Sequence, residues 1–456
     1  MSNDDPIAPS QHDITIVSRA IRLALPMAGS RLIQMLSGFI GMLMLARLGH
    51  QVLAASALMT STMVTIMLML ISTLFSTSVV VGQTWGAGKR DEIGAIIQQG
   101  SVLALLLSVP AMIVFWYIAD LLLWMGQLPA LVRYVHEYFH ALEWGVPAFM
   151  LLAALQQACY GMSRQRLVIT LNFICLLIFV VMAYVLIFGK LGFKMYGVPG
   201  LSYAFVIQAW LNLLLLVLSF YFIRDFKPLQ IFSKRNYKDW YYLRQLFHIG
   251  WPMSAQFGGE LMSFFVVSIM VGWLGSAALA AAQITQQVVF LCVVPMFAIA
   301  EATGILVSHS VGAKQYHEIK HIWQVCIGFT LLVTIGLGLI FILFPKWLTS
   351  FYVDIHIPVN ADVVHLTVWL FVILAFVLIF DSVRNVASGA LRGLYDTRFA
   401  MITGIVVTWV VGLPIGYALA FPGHLSVIGF RLARAFAMLI GAVLVVWWWY
   451  RRLKKL

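Results

Sequence analysis

The chain contains 456 residues, of which 62% are hydrophobic and 10% are charged, and its mean hydropathy is +0.95. A soluble domain of this length cannot hide so much apolar surface from water, so the composition excludes an ordinary soluble protein. The net charge of +12 would fit a nucleic-acid partner only if a folded basic surface carried it.

Long uncharged stretches of about 20 residues match the hydrocarbon core of a bilayer, which is about 30 Å thick. Backbone groups in lipid must be satisfied within the segment, so these stretches are predicted to be helices. Runs such as Val102–Ile118 do not alternate, as the strands of a membrane barrel would. Six spans are predicted near 23–47, 53–83, 93–120, 134–158, 166–189 and 199–222. Six more are predicted near 250–273, 279–310, 320–344, 362–387, 398–420 and 425–449.

The basic residues are distributed unevenly between the predicted loops. With both termini cytoplasmic, 20 of the 29 Lys and Arg residues fall in cytoplasmic segments, five fall outside and four lie within spans. This is the asymmetry that the positive-inside rule requires. The excess charge is therefore explained by membrane topology, and no nucleic-acid partner is predicted.

The pattern of cysteine and histidine residues does not indicate an enzyme. The four cysteines lie in apolar segments without paired spacing, which predicts neither a disulfide framework nor a structural metal site. His136, Glu137 and His140 are the nearest approach to a catalytic cluster, but they lie at the start of a span with no third ligand. There is no phosphate-binding loop, so ATP-driven pumping by this chain alone is unsupported and no cofactor is predicted.

An internal repeat relates the two halves of the sequence. A shift of 226 residues aligns Pro26 with Pro252 and Gly86-Ala87 with Gly312-Ala313. It also aligns Leu48-Gly49, Leu53–Ala55 and Glu92-Ile93 with equivalents in the second half. Slightly larger shifts align later pairs, such as Gly161 with Gly393. One offset across two spans and a loop predicts two similar halves.

Because each half has an even number of spans, both halves enter the membrane from the same side and form parallel repeats. The predicted fold is two pseudo-symmetric six-helix lobes around a central cleft, able to rock and give alternating access. The predicted parts are a cytoplasmic segment (1–22), an N-lobe (23–222), a basic linker (223–249), a C-lobe (250–449) and a basic tail (450–456).

Three loop sequences resemble those of the multidrug and toxic compound extrusion family. SGALRGLYDTR (Ser388–Arg398) looks like the loop after its tenth helix. VVVGQTWGAGKRDEI (Val79–Ile93) and VSHSVGAKQYHEI (Val307–Ile319) resemble its loops after the second and eighth helices. The resemblance covers essentially the whole chain, and acidic residues in the seventh and tenth spans make the NorM-like branch most similar.

The resemblance implies a secondary active antiporter that exports cationic or amphipathic drug-like molecules in exchange for protons or sodium ions. It implies a monomeric multi-pass protein of the bacterial inner membrane, with the lipid bilayer and small molecules as its partners. The alternative is a flippase of a related family that moves lipid-linked saccharides. Those relatives often have more spans or a different charged cavity, and the GALRG-type loop argues against them.

Three acidic side chains are predicted deep in the membrane: Glu260, Glu301 and Asp381. A charge at mid-bilayer costs about 2.5–3.5 kcal/mol on insertion scales, so each needs a reason. The resemblance places Glu260 and Asp381 at the family's cation-coupling positions, where they would take up a proton or ligate sodium.

The opposing interpretation is that each acid pairs with an intramembrane arginine and holds helices together. Arg384 follows Asp381 by three residues and lies on the same helical face, where typical family members carry an uncharged polar residue. Arg384 would then neutralise Asp381. Glu301, Arg384 and Asn385 form a second set of candidates for ion coupling or for lining the cavity.

The N-lobe departs from the family pattern. Relatives with a cation site there carry an aspartate in the first helix, but this chain has Gly41 at that position. The repeat partner of Glu260 is Gln34, which is also uncharged. The coupling residues are therefore predicted to lie in the C-lobe.

Other polar and proline residues within spans are weaker candidates. Gln34, Gln256, Gln283 and Gln287 either line a substrate cavity or make hydrogen bonds between helices. Pro26 and Pro252 remove a backbone hydrogen bond at equivalent positions and predict a shared bend, with a hinge as the functional alternative.

Overall fold

Almost all of the described chain is helical, as apolar segments without β alternation require. The computed structural model describes residues 11–231, 239–355 and 357–456. Within these ranges, twelve helices are long and apolar enough to cross a membrane. The prediction of an all-α protein with twelve spans is confirmed.

The first six spans are α1 (Ile16–Ala46), α2 (Gln51–Gly86), α3 (Arg90–Trp124), α4 (Pro129–Gly161), α5 (Gln165–Phe188) and α6 (Val198–Phe222). The second six are α7 (Tyr241–Gly272), α8 (Ser276–Gly312), α9 (Tyr316–Leu343), α10 (Ala361–Gly393), α11 (Arg398–Ala420) and α12 (Ser426–Leu453). Short helical turns at Arg224–Leu229, Pro345–Ser350 and Pro358–Asn360 lie between spans.

Helix α7 begins nine residues before its predicted start near residue 250. Polar contacts hold this extension. Tyr242 donates a hydrogen bond to Glu92 Oε2 at 2.7 Å, and Leu243 N–H donates to Gln99 Oε1 at 2.8 Å. The sequence prediction relied on apolar length, so it missed about two and a half helical turns, which polar partners stabilise.

Three spans contain a local departure from the α-helix. Helix α2 is interrupted at Phe75. Helix α4 contains a 3-10 turn at Glu143–Gly145, and α11 contains a π-helical segment at Val407–Gly412. Single π-helical turns widen the helix locally and are frequent at functional sites.

Contacts between residues divide the chain into two compact units, one comprising 26–254 and the other comprising 1–25 with 255–456. The boundaries fall at Pro26 in α1 and two residues after Pro252 in α7. Both helices therefore contribute their first part to one unit and their remainder to the other. The division occurs where a proline removes one helical hydrogen bond.

The same backbone contact occurs within each unit. A side-chain carbon added at Gly161 would lie 2.6 Å from the Ser78 carbonyl oxygen, and one added at Gly393 would lie 2.7 Å from the Gly304 carbonyl oxygen. Both glycines also pack on a valine, Val81 in the first case and Val307 in the second. These valines are 226 residues apart, as are Ser78 and Gly304, so the sequence repeat corresponds to a repeated packing arrangement.

An ion pair recurs in both units with its charges exchanged. Arg164, after α4, pairs with Asp225, after α6, at 2.6 Å. Asp396, after α10, pairs with Arg452 at the end of α12. In the first half of the sequence the bridge connects the loop after α4 to the end of α6. In the second half it connects the loop after α10 to the end of α12.

Gly389 provides a test of the close packing between α8 and α10. A Cβ at Gly389 would overlap the Ala300 carbonyl oxygen, whereas a Cβ at Gly336 in α9 would meet nothing within 4 Å. Gly389→Ala should therefore destabilise the protein by about 1–3 kcal/mol, as expected for overpacking. Thermal unfolding of the purified protein in detergent measures the effect.

Gly336→Ala is the matched control and should be neutral or slightly stabilising, since alanine favours helix over glycine. Equal melting temperatures for the two variants would contradict the close approach of α8 and α10.

Candidate functional site

A cluster of buried charges joins α7 to α10. Arg384 Nη1 donates to Glu260 Oε1 at 2.7 Å, and Arg384 Nη2 donates to Asp381 Oδ1 at 2.9 Å. Two longer bonds of 3.3 Å join the same guanidinium to Glu260 Oε2 and Asp381 Oδ1. The Arg384 side chain is 3% exposed, and those of Glu260 and Asp381 are 18% and 17% exposed. One guanidinium therefore bridges both acids.

Helical periodicity accounts for part of this arrangement. Asp381 and Arg384 are three residues apart on α10 and share one face. On α7, Gln256 precedes Glu260 by one turn and donates to Glu260 Oε1 at 3.1 Å. The same carboxylate oxygen thus accepts from both Arg384 and Gln256, which fixes its position.

Small residues bring neighbouring helices against the cluster. A Cβ at Gly404 of α11 would lie 3.2 Å from Glu260 Oε1, and one at Gly441 of α12 would lie 3.1 Å from Arg384 Cδ. Larger residues at these positions would push on the ion pair. The π-helical segment of α11 also contributes, because Trp409 Nε1 donates to the Gly259 carbonyl at 3.0 Å, one residue before Glu260.

A second arginine contributes to the electrostatics of the cluster. The Arg434 guanidinium lies 3.9 Å from the centre of the Phe264 ring, a cation–π geometry. Its charge is attracted by Asp381 and by Glu260. Two carboxylates therefore interact with two guanidinium groups, and only Arg384 makes direct ion pairs with them among the described residues.

The structure brings together four predicted residues, Glu260, Asp381, Arg384 and Gln256. Glu301 is buried elsewhere on α8, next to Ala300, which contacts Gly389. Gly389 lies five residues beyond Arg384, about 7.5 Å along the helix. Glu301 is therefore level with a different part of α10.

The remaining predicted residues lie outside the cluster. Gln34, Gln283 and Gln287 are exposed and Asn385 is half-buried. None of these four side chains makes a hydrogen bond with another side chain of the described ranges. Pro26 and Pro252 lie at or near the boundaries between units, as described above.

Sequence reasoning missed several residues of the site. The bond between Arg384 and Glu260 spans 124 residues, so no local pattern signals it. Gly404, Trp409 and Arg434 act through contacts between helices. A signal existed only for Arg434, because a basic residue within an apolar span needs a partner.

The unit formed by 26–254 has an uncharged network at the equivalent place. Ser30 is the repeat partner of Gln256, and its hydroxyl accepts from Asn172 Nδ2 and, at 3.3 Å, from Tyr160. Asn172 Oδ1 accepts from Gln156 Nε2 at 3.0 Å and from Asn212 Nδ2 at 2.7 Å. All five side chains are buried. The repeat therefore carries a neutral network in one unit and an ionic one in the other.

The chemistry available to the ionic cluster follows from its oxygen atoms. Each carboxylate can accept a proton or contribute to a cation site, and either event competes with Arg384 for the same lone pairs. The described ranges contain no group of three or more His, Cys, Asp or Glu side chains placed to hold a metal ion. A proton or another cation would therefore compete with Arg384 for the oxygen atoms of these two acids.

Comparison with known proteins relates this chain to a family. The MatE family model matches residues 26–185 and 252–418. The chain is 27% identical over 427 residues to a probable multidrug resistance protein NorM of Synechocystis, covering 94% of this chain and 93% of that protein. It is 31% identical over 429 residues to the multidrug resistance protein NorM of Burkholderia vietnamiensis, covering 93% and 92%.

Solved structures share the fold. A MOP superfamily transporter from Pyrococcus furiosus superimposes with a TM-score of 0.87 at 16% identity, covering 98% of this chain and 99% of that one. A eukaryotic MATE transporter superimposes with a TM-score of 0.84 at 19% identity, covering 97% and 98%. At these identities the likeness concerns the fold alone.

A double-mutant cycle tests the bridge between α7 and α10. Arg384→Met should destabilise the protein by about 3–5 kcal/mol, because it leaves two acids without their partner in a buried site. Adding Glu260→Gln should recover part of that loss, so the two changes should be non-additive. Denaturant unfolding in mixed micelles measures the coupling.

The exposed pair Arg133 and Glu137, 3.3 Å apart, provides the matched control. Its cycle should give no more than about 1 kcal/mol. Additive effects at Arg384 and Glu260 would contradict the bridge.

Proposed function

Since this chain belongs to the MatE family, whose model matches most of it, we propose that it is a secondary active antiporter that exports cationic or amphipathic organic molecules in exchange for a cation. The chain is a multi-pass multidrug transporter, as its relatives named NorM and its twelve spans indicate. The observation that carries the proposal of antiport is the buried cluster of Glu260, Asp381 and Arg384.

In the proposed mechanism, the coupling ion competes with Arg384. Both acids are held by the guanidinium, so a proton or sodium ion that binds either acid weakens an ion pair between α7 and α10. Ion binding drives a conformational change only when the ion has different affinities for the two conformations. A bridge that exists in one conformation and is broken in the other supplies such a difference.

The surroundings of the acids favour a proton over sodium. A sodium ion needs several oxygen ligands at once, as hard cations do. The turn before Asp381, Val377–Phe380, supplies no side-chain oxygen, and the Ser382 hydroxyl donates to Ile379 O in its own helix. Glu260 Oε1 already accepts two hydrogen bonds. A proton needs only one lone pair.

The other predicted residues have supporting roles in this proposal. Gln283 and Gln287 are exposed one turn apart on α8 and would contact substrate, while Gln256 orients Glu260. Gln34 of α1 is a separate candidate for contact with substrate. Glu301 and Asn385 are second candidates for ion coupling or cavity lining. Pro26 and Pro252 would be the points at which α1 and α7 bend. The protein would act as a monomer in a bacterial inner membrane with both termini cytoplasmic, as the distribution of Lys and Arg favours.

The coupling proposal is tested with Glu260→Gln in proteoliposomes loaded with a fluorescent organic cation. The wild type should export the dye under an imposed pH gradient and not under a sodium gradient alone. The gradient-driven export rate of the variant should be about 5–150 times lower than that of the wild type, which is the usual range of coupling between two sites. Dye fluorescence under separately clamped gradients measures this.

Glu137→Gln is the control, because Glu137 pairs with the exposed Arg133 and should keep wild-type transport. Wild-type export by Glu260→Gln would overturn the coupling role of this acid. Export driven by a sodium gradient alone would show that the coupling ion is not a proton, but it would leave the proposal of antiport intact.

Gly41 tests whether an acid in α1 is dispensable. A Cβ at Gly41 would lie 2.6 Å from Leu201 Cδ1, so Gly41→Asp would force a carboxylate against a buried leucine. We expect lower melting temperature and lower export from this variant, since an unpaired buried charge is costly. Thermal unfolding and the dye assay measure both.

Gly38→Asp is the matched control on the same helix, because a Cβ at Gly38 would meet nothing within 4 Å. Increased export by Gly41→Asp would contradict the view that coupling depends on the acids of α7 and α10 alone.

A further inference from the structure

The first part of α4 carries a stripe of polar side chains. Arg133, His136, Glu137 and His140 recur at spacings of three and four residues, so they share one face of the helix. Both histidines are exposed. Helix α4 has 33 residues and is about 50 Å long, whereas the hydrocarbon core is about 30 Å thick. The polar stripe therefore marks a part of α4 that lies beyond the hydrocarbon core and within reach of water.

The two histidines of this stripe are arranged as a pair. The segment from His136 to His140 is His-Glu-Tyr-Phe-His, which matches the H-E-x-x-H pattern. In that pattern, two histidines four residues apart on one face of a helix bind zinc. The ring centroids of His136 and His140 are 5.8 Å apart, and the ring planes are within 3° of parallel. Both rings therefore face the same region beside the helix.

A buried acid holds the second histidine of the pair. His140 Nδ1 lies 2.9 Å from Glu143 Oε1. The Glu143 side chain is 4% exposed, whereas that of His140 is 53% exposed. A neutral imidazole that donates to a carboxylate through Nδ1 keeps the lone pair on Nε2 for another partner. Histidines that bind metals almost always donate their other ring nitrogen in this way. Glu143 therefore has the place of the outer acid of a metal site.

The glutamate within the motif has a different partner. Arg133 Nε donates to Glu137 Oε1 at 3.3 Å, so Glu137 is held in an ion pair. In metalloproteases the corresponding glutamate is the general base. The described ranges also contain no third His, Cys, Asp or Glu side chain placed to complete a metal site. The arrangement therefore favours binding of a metal ion at an open site, and it provides no hydrolytic machinery.

A second histidine pair with the same spacing lies at the start of α9. His317 and His321 are four residues apart, but the Nε2 atom of His321 is buried. This pair cannot present both Nε2 atoms to a metal ion from solvent. It is therefore a matched control for the pair on α4.

We propose that His136 and His140 bind a divalent transition-metal ion through their imidazole nitrogens, with Glu143 as the positioning residue and water in the remaining coordination positions. Imidazole suits nickel, copper and zinc, whereas magnesium and calcium prefer oxygen ligands. All three side chains belong to the unit formed by residues 26–254. The proposal does not depend on the proposed export function.

The test is isothermal titration of NiCl2 into the full chain in detergent, after removal of any polyhistidine tag. The wild type should bind one Ni²⁺ per chain, and MgCl2 should give no saturable heat. His136→Gln and His140→Gln should each weaken Ni²⁺ binding by more than about 100-fold, because removal of a ligand costs more than a change outside the ligand shell. No saturable binding of Ni²⁺ to the wild type would overturn the proposal.

Two further variants separate metal binding from a structural role of the pair between His140 and Glu143. Glu143→Gln should keep the stoichiometry and weaken Ni²⁺ binding by about 10–100-fold, as is typical for a partner of a metal-bound histidine. His317→Gln should bind Ni²⁺ as the wild type does. His136 takes no part in the bond to Glu143, so wild-type affinity in His136→Gln would contradict the proposal.

Another measurement keeps both histidines in place. The Trp116 ring of α3 lies 4.9 Å from the His140 ring, in an edge-to-face geometry. Bound Ni²⁺ should therefore quench the fluorescence of Trp116. Trp116→Phe should reduce the quenched fraction of the tryptophan signal while the affinity measured by calorimetry stays the same. The same quenched fraction in both proteins would place the metal ion elsewhere and overturn the assignment.

Discussion

The bond between Arg384 and Glu260 connects two helices that are far apart in sequence, and the arrangement of the candidate site depends on it. A guanidinium with 3% exposure is costly to bury in a membrane protein, and here two carboxylates offset that cost. Their requirement is mutual, since each acid would otherwise be a buried charge without a partner. The neighbouring glycines of α11 and α12, Gly404 and Gly441, leave the space that this group of side chains occupies.

The two units show how one backbone plan carries two kinds of buried chemistry. Gly161 and Gly393 make equivalent contacts in their own units, so the packing of helices is repeated. Yet Ser30 takes part in a neutral hydrogen-bonded network, whereas its repeat partner Gln256 supports an ionised acid. The side chains of the neutral network carry no charge, whereas the carboxylates of the ionic one can accept a proton or a cation. In the proposed mechanism, only the second half of the sequence therefore responds to ions, through Glu260 and Asp381.

The exchanged ion pairs at the helix ends extend this comparison. Arg164 with Asp225 and Asp396 with Arg452 connect equivalent segments, although each position carries the opposite charge in the other unit. The contact is preserved when the sign of both partners changes, because attraction depends on the product of the charges. A comparison of residue types at aligned positions would miss this correspondence.

Much of the architecture follows from the sequence because its cause is local. Apolar length, proline positions and a constant offset of 226 residues determine twelve helices and a repeat, since backbone groups in lipid leave the chain few alternatives. The pairing of Asp381 with Arg384 follows in the same way, because three residues bring side chains to one helical face. Only tertiary structure decided that Glu260 shares this arginine, that Arg434 lies over Phe264 and that Arg431 has only neutral contacts among the described residues. These facts depend on how separate helices approach one another, and the spacing of residues along one helix carries no record of the side chains that a neighbouring helix presents.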